Sequence, residues 1–376
     1  MVYVTSVGMT RIDRHFEKGV RDLTFEAARK ALEGVDIDSI DYLIVASSLS
    51  YRQAPQHDLA AYIASELGVA VKSALAVEAG ENSGLAAVEV AYNLLQAHAA
   101  ERVLVVGVDK LTEYPSGPTY RMLEAIYDAE TDAVYNIGHA APLALLMRIY
   151  MERYDVPRET LAYWPAMMHL HGKENPYAML RFAIKPEKVP ASMPIAEPIT
   201  LLDAYPLGDG AAAVLLSCED QQGEHLARLA NIVSGVGAPS IALREDPLRI
   251  EAVEKLVHEL DLKLEDFDVI EVHDNFTIMG LLLLEAIGLA PRGKAAELVK
   301  QGYFSVDGEG PLVNPSGGLK SRGNPIGATG VYMIAETALQ LAGEFPGVTR
   351  SGAKKGLVVG VNGHGSSARI GVLERV

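Results

Sequence analysis

Short, near-continuously apolar runs rich in β-branched residues lie at 42–46, 102–108, 211–216, 268–272, 357–361 and 368–373. They read as strands covered on both faces. Between them, 23–33, 58–67, 85–97, 250–260 and 331–341 carry helical periodicity. The alternation predicts layered α/β packing. The pattern also repeats. In the first half an acidic turn precedes the strand at 42–46, and a Gly-led helix from Ser83-Gly84 leads to the strand at 102–108. In the second half, Phe267-Asp268 opens a strand, and a Gly-led helix from Thr329-Gly330 leads to the strand at 357–361. Both Gly-led helices are small and apolar on nearly every face, which predicts that they are buried side by side. The expected organisation is two similar halves, 1–220 and 221–376. A Tyr- and Met-rich stretch at about 113–198 breaks the rhythm and reads as an inserted loop region over one face.

Composition changes this picture little. Of 376 residues, 49% are apolar and 22% charged, as expected of a soluble globular chain. A net charge of −16 argues against a nucleic-acid partner, which requires clustered Lys and Arg. The single cysteine, Cys218, excludes an intrachain disulfide and fits a reducing cytoplasm. It reads as a packing residue. No secretory leader and no membrane-length apolar run is visible. His139, His169 and His171 have no metal-ligand spacing, and no metal site is expected.

Five segments carry candidate chemistry: Val77-Glu78-Ala79-Gly80-Glu81-Asn82-Ser83-Gly84, Asp209-Gly210-Ala211-Ala212-Ala213, His273-Asp274-Asn275-Phe276, the Gly-rich stretch 314–330, and Asn362-Gly363-His364-Gly365-Ser366. At these spacings the chain resembles the thiolase superfamily over nearly its whole length, and within it the archaeal-type and sterol-carrier-protein-type branch. The resemblance implies the duplicated five-layer α-β-α-β-α thiolase fold with an inserted loop domain. It also implies a homodimer formed through a strand around 74–79.

In that family a cysteine at the N-terminus of the first central helix attacks an acyl thioester, and a histidine takes its proton. Here the resemblance puts Glu81 at the nucleophile position, Asn324 at the histidine of the G-H-P triplet, and the second acid/base cysteine near Val361. Acyl transfer through an acyl-cysteine is therefore not expected, and an acyl-Glu, a mixed anhydride, would hydrolyse readily. The helix dipole favours a Glu81 anion whereas burial raises its pKa, and the sequence leaves that balance open. His273 falls where the family places an oxyanion-hole residue, and Asn324 retains an amide donor, a profile suited to binding a thioester and stabilising its enolate.

The pattern also resembles thiolase-like aldolases that have lost the cysteine. These use tyrosines and work with a small acyl-CoA-binding zinc-ribbon/OB-fold partner. By that similarity Glu81, Asp274, His364, Tyr303 and Tyr332 are candidate acid/base groups. Ser316, Gly317 and Gly318 are candidates for contacting the pantetheine of a coenzyme A thioester substrate through exposed amides. No tightly bound cofactor is expected. A catalytically silent acyl-CoA-binding or scaffolding subunit, and an ordinary acetyl-CoA acyltransferase, are the alternatives.

Overall fold

The computed structural model describes residues 1–49, 56–114, 116–135, 138–218 and 225–376. Three positions of the 113–198 stretch (115, 136 and 137) lie outside them.

The repeat seen in the sequence is a repeat of topology. The first half runs β1 (Val2–Met9), α1 (Val20–Ala31), β2 (Tyr42–Ala46), α2 (Leu59–Leu67), β3 (Ser73–Val77), α3 (Ser83–Gln96), β4 (Arg102–Asp109). The connection that follows holds α4 (Ser116–Leu123), α5 (Ala141–Tyr154), α6 (Arg158–Leu161), α7 (Tyr163–Glu174) and the small ladder β5 (Pro194–Ala196) with β6 (Ile199–Thr200), before β7 (Gly210–Ser217). The second half runs β8 (Ala227–Val236), α8 (Glu251–Glu259), β9 (Val269–Val272), α9 (Thr277–Ala286), α10 (Ala295–Lys300), β10 (Leu312–Val313), α11 (Gly318–Arg322), α12 (Thr329–Ala342), β11 (Lys355–Val361) and β12 (Ser367–Glu374).

The strand order is β10-β9-β11-β12-β8-β1-β7-β4-β2-β3. Read outward from the β8–β1 junction, both halves have the same order and the same pattern of parallel and antiparallel pairs. The junction is a short antiparallel ladder with Val2 opposite Leu229 and Val4 opposite Ala227.

Side-chain alternation along the strands sets the layers. On β4, Leu104, Val106 and Val108 pack against α1 and α2, while Val103 and Val105 face α3 and α12. On β11, Leu357, Val359 and Val361 pack on the side of α8 and α9, while Val358 faces the central helices. The layers are therefore helix, sheet, helix, sheet, helix. α12 is buried from Thr329 through Leu341, whereas α3 is fully buried only over its first six residues and then turns Glu89 toward Arg369. The central helices meet at glycine. A Cβ on Gly84 would stand 2.8 Å from the Val331 amide nitrogen, and one on Gly330 would stand 2.4 Å from that of Leu85.

Several elements were not legible in the periodicity, among them β1, β8 and α9. In β1, Thr5, Ser6 and Gly8 interrupt the apolar run. β8 alternates weakly, and its last residues are exposed. The segment forming α9 is apolar on every side and buried at every position, so it shows no amphipathic stripe.

Candidate active site

Glu81 sits in the turn that starts α3, and the surrounding backbone is specific for that placement. Gly80 has φ +61°, and a Cβ there would overlap the Asn362 side chain at 2.0 Å. The Ser83 hydroxyl donates to the Gly80 carbonyl (2.7 Å), and the Glu81 amide donates to Asn362 Oδ1 (3.0 Å). The carboxylate points inward and is buried. Its Oε2 accepts from the Gly363 amide (2.8 Å) and from Asn275 Nδ2 (3.3 Å). Oε1 has no hydrogen-bond partner and lies 3.5 Å from His273 Nε2, which is likewise unpartnered. Burial pushes the Glu81 pKa up, but the His273 imidazole and the Gly363 amide outweigh it and hold the carboxyl below its usual range. The balance left open by the sequence thus falls on the side of the anion.

His273 is delivered by the C-terminal end of β9, its amide donating to the Val359 carbonyl (3.0 Å). Asn324 precedes α12 as Glu81 precedes α3, so the Gly84–Gly330 contact sets the two helix starts side by side. Asn324 is buried, and its Oδ1 accepts from the Thr329 hydroxyl (2.5 Å). That bond directs Nδ2 away from Thr329 and leaves it without a partner. Around Glu81, its own Oε1, His273 Nε2 and Asn275 Oδ1 thus have unused hydrogen-bonding capacity, as does Asn324 Nδ2 ahead of the neighbouring central helix.

The connection between β4 and β7 adds residues that had no sequence signal as a group. His139 bridges two tyrosines, with Nδ1 3.0 Å from the Tyr127 hydroxyl and Nε2 3.1 Å from that of Tyr205. Burial lowers the His139 pKa, so a neutral imidazole links the two phenols. Tyr127 also stacks on His364, with ring centroids 5.4 Å apart. Asn275, inside the His273-Asp274-Asn275-Phe276 segment, also touches Glu81 directly, a contact for which the sequence carries no signal.

His364 is buried but held from the other side. Arg244 donates to its Nδ1 (2.9 Å), and Nε2 lies 3.6 Å from Asp132. Burial, then the Arg244 charge, lowers its pKa to about 4. It should therefore be neutral at pH 6, with the proton on Nε2. Histidine ¹⁵N shifts should show this tautomer, turning cationic only as the pH falls toward about 4. A cationic His364 at pH 6 would contradict it. The folded state resists this proton, so the effect on stability appears as the pH drops below about 6.5.

Other expected site residues are placed differently. Asp274 is buried and ties elements together: Oδ2 accepts from Trp164 Nε1 (3.0 Å) and Oδ1 from the Leu319 amide (2.7 Å). Burial raises its pKa to about 7. The Tyr332 hydroxyl is committed to the Thr10 carbonyl (2.9 Å), and its ring lies beneath Arg322 in the layer between the sheets. Tyr303 is half-buried, edge-on to Phe304, with Gly310 packed on its ring. Both rings are packed against protein in this structure.

The expectation that Ser316, Gly317 and Gly318 present exposed amides is corrected. All three are buried. The Ser316 amide and hydroxyl donate to Glu271, the Gly317 amide to the Asn314 carbonyl, and the Gly318 amide to Ser316 Oγ. A Cβ on Gly317 would lie 2.6 Å from the Gly172 backbone, so these glycines permit close packing of α7. Val361 is a buried apolar residue of β11, and Cys218 packs partly buried beyond β7. The imidazoles of His169 and His171 approach the backbone carbonyls of Phe182 (2.9 Å) and Asn314 (3.0 Å). Among the described residues no helix is long and apolar enough to cross a membrane.

The chain matches the family models "Thiolase, N-terminal domain" over residues 2–220 and "Thiolase C-terminal domain-like" over residues 249–375. It is 32% identical to an acetyl-CoA acetyltransferase of Methanocaldococcus jannaschii, covering 99% of this chain and 98% of the relative. Sterol carrier protein 2 of Homo sapiens is 31% identical over 95% of this chain and 69% of that protein. Among solved structures, the Ltp2-ChsH2(DUF35) aldolase superposes with a TM-score of 0.83 at 20% identity, covering 100% of this chain and 97% of that one. Human mitochondrial 3-ketoacyl-CoA thiolase in complex with CoA gives 0.78 at 17% identity, covering 100% and 98%. The repeated sheet, the paired central helices and these whole-length matches lead to one conclusion: the chain belongs to the thiolase family.

Proposed function

We propose that this protein is an acyl-CoA carbon–carbon lyase of the retro-aldol type that works without a cysteine nucleophile. The observation that carries the reading is the buried anionic Glu81 at the start of α3, faced by His273 Nε2 and accompanied by the unpartnered Asn324 Nδ2. A thioester oxygen bound by the two nitrogens would have its enolate charge stabilised. Glu81 would take the proton of a β-hydroxyl. The Cα–Cβ bond then breaks, its electron pair passing to Cα as the thioester enolate while the β-carbon leaves as an aldehyde or ketone. Protonation of Cα gives the shorter acyl-CoA. No acyl-enzyme forms.

In this reading the protein is a homodimer. Among the described residues β3 ends the sheet, and its outer edge is the proposed site of self-pairing. A DUF35 protein of the kind named in the aldolase neighbour is the proposed partner. The second reading, a silent subunit beside a cysteine-bearing thiolase, draws on the lack of a thiol in the Glu81 turn.

Incubation with a panel of β-hydroxyacyl- and β-ketoacyl-CoAs, followed by mass spectrometry, separates the readings. The expected result is a carbonyl compound and a shortened acyl-CoA from β-hydroxy substrates, with no free CoA consumed. Cleavage of β-keto substrates into two acyl-CoAs would overturn the lyase. Turnover seen only beside an active thiolase would favour the silent subunit.

A further inference from the structure

A cavity of about 460 Å³ opens beside the candidate site, reaching Tyr205 and Pro206, whose carbonyl accepts from the Asn324 amide (3.2 Å). Its walls are largely apolar, including Leu111, Leu180 and Leu207, with Arg14 exposed on its lining. One buried charge belongs to this wall. Lys320, on α11, is only 2% exposed. Among the described residues its ammonium has no hydrogen-bond or ion-pair partner.

The nearby carboxylates are already engaged. Asp203 is paired with Arg158 and accepts from Thr200 and Thr277 (2.9 Å each). Asp274 is held by Trp164 and the Leu319 amide. Burial, though offset by Asp203 and Asp274, lowers the Lys320 pKa to about 8, which leaves it cationic at neutral pH. An unpaired cation in such a setting is costly unless an anion meets it.

We propose that Lys320 forms a carboxylate-binding subsite in the acyl cavity, so that the preferred substrates are acyl-CoAs whose acyl chain carries a second, free carboxylate. This deepens the acyl-CoA reading above and rests on it. A carboxylate at the end of an alkyl chain suits a largely apolar cavity whose one buried charge is a cation, whereas strongly hydrated phosphates suit exposed cations.

The test uses ligands that bind without turnover. Isothermal titration compares glutaryl-CoA with pentanoyl-CoA, and adipyl-CoA with hexanoyl-CoA, on the full chain. Glutaryl- and adipyl-CoA should bind about 10- to 100-fold more tightly than their methyl-ended counterparts. Lys320→Met should bring that ratio to near one, and Lys320→Arg should retain most of it, with thermal melts confirming that each variant is folded. Equal affinities in the parent protein would overturn the subsite while leaving the lyase reading standing. So would a matching loss of free CoA binding in Lys320→Met, which would place the amine at the phosphates. Borohydride trapping of a keto-acyl ligand on Lys320 would overturn it in favour of an imine. If no acyl-CoA binds at all, the acyl-CoA reading falls with it.

Discussion

Glu81→Gln is expected to reduce cleavage of a β-hydroxyacyl-CoA by about 10²- to 10⁴-fold in kcat, the range associated with losing a positioned general base. The substitution is close to isosteric. The Gly363 amide and Asn275 Nδ2 still meet an oxygen, so the turn at Gly80 should persist. What disappears is the negative charge and the free Oε1 that faces His273. Because Glu81 is held below the usual carboxylate range, its base form is present throughout the neutral region. Activity should fall only on strong acidification. The sign for stability is the same: a depressed carboxylate contributes above its unfolded pKa and loses that contribution as the pH falls through its folded value. A folded Glu81→Gln protein retaining more than about a tenth of the parent kcat would remove Glu81 from the chemistry.

The largest effect on stability is expected at the contact between the central helices. Gly330→Ala should lower the unfolding free energy by about 3 kcal/mol, the upper part of the usual range for overpacking. The new Cβ would stand 2.4 Å from the Leu85 amide nitrogen, 2.7 Å from Leu85 Cγ and 3.0 Å from the Gly84 carbonyl carbon. Two of these atoms are backbone of a buried helix and cannot swing aside as a side-chain tip would. Helix propensity works in the opposite direction, favouring alanine by about 1 kcal/mol, so the clash must exceed that to dominate. Urea denaturation should show a lower midpoint with an unchanged slope. A midpoint within error of the parent would mean that the helices slide apart at little cost. The same shift would separate the starts of α3 and α12, so catalysis should suffer more than stability alone explains.

Much of the scaffold was legible because its signals are local. Five-residue apolar runs such as 42–46 are strands buried on both faces, and glycines at 84 and 330 mark where two helices touch. The candidate site was legible only where a chemical residue sits inside a motif, as with Glu81, His273 and Asn324. The Tyr127–His139–Tyr205 bridge was not, since His139 meets partners 12 and 66 positions away through an irregular connection. Lys320 was hidden for the opposite reason. It lies within the most conspicuous segment of the chain, but its significance depends on which neighbouring carboxylates are already occupied. The reading of 316–318 as exposed amides failed because a glycine-rich stretch permits close approach by protein as readily as by ligand, and here α7 occupies that space.

The position of β1 has a consequence for how the chain is made. Its two neighbours in the sheet are β7, at Gly210–Ser217, and β8, at Ala227–Val236. Once synthesised, β1 must therefore wait for more than 200 residues of later sequence before either neighbour exists. At typical synthesis rates of about 5–20 residues per second, that is an interval of roughly ten to forty seconds. Throughout it, an apolar ribbon with both edges unsatisfied is present in a crowded cell. The nascent chain should accordingly be a better chaperone client, and more vulnerable to aggregation, than the finished fold with β1 enclosed on both sides.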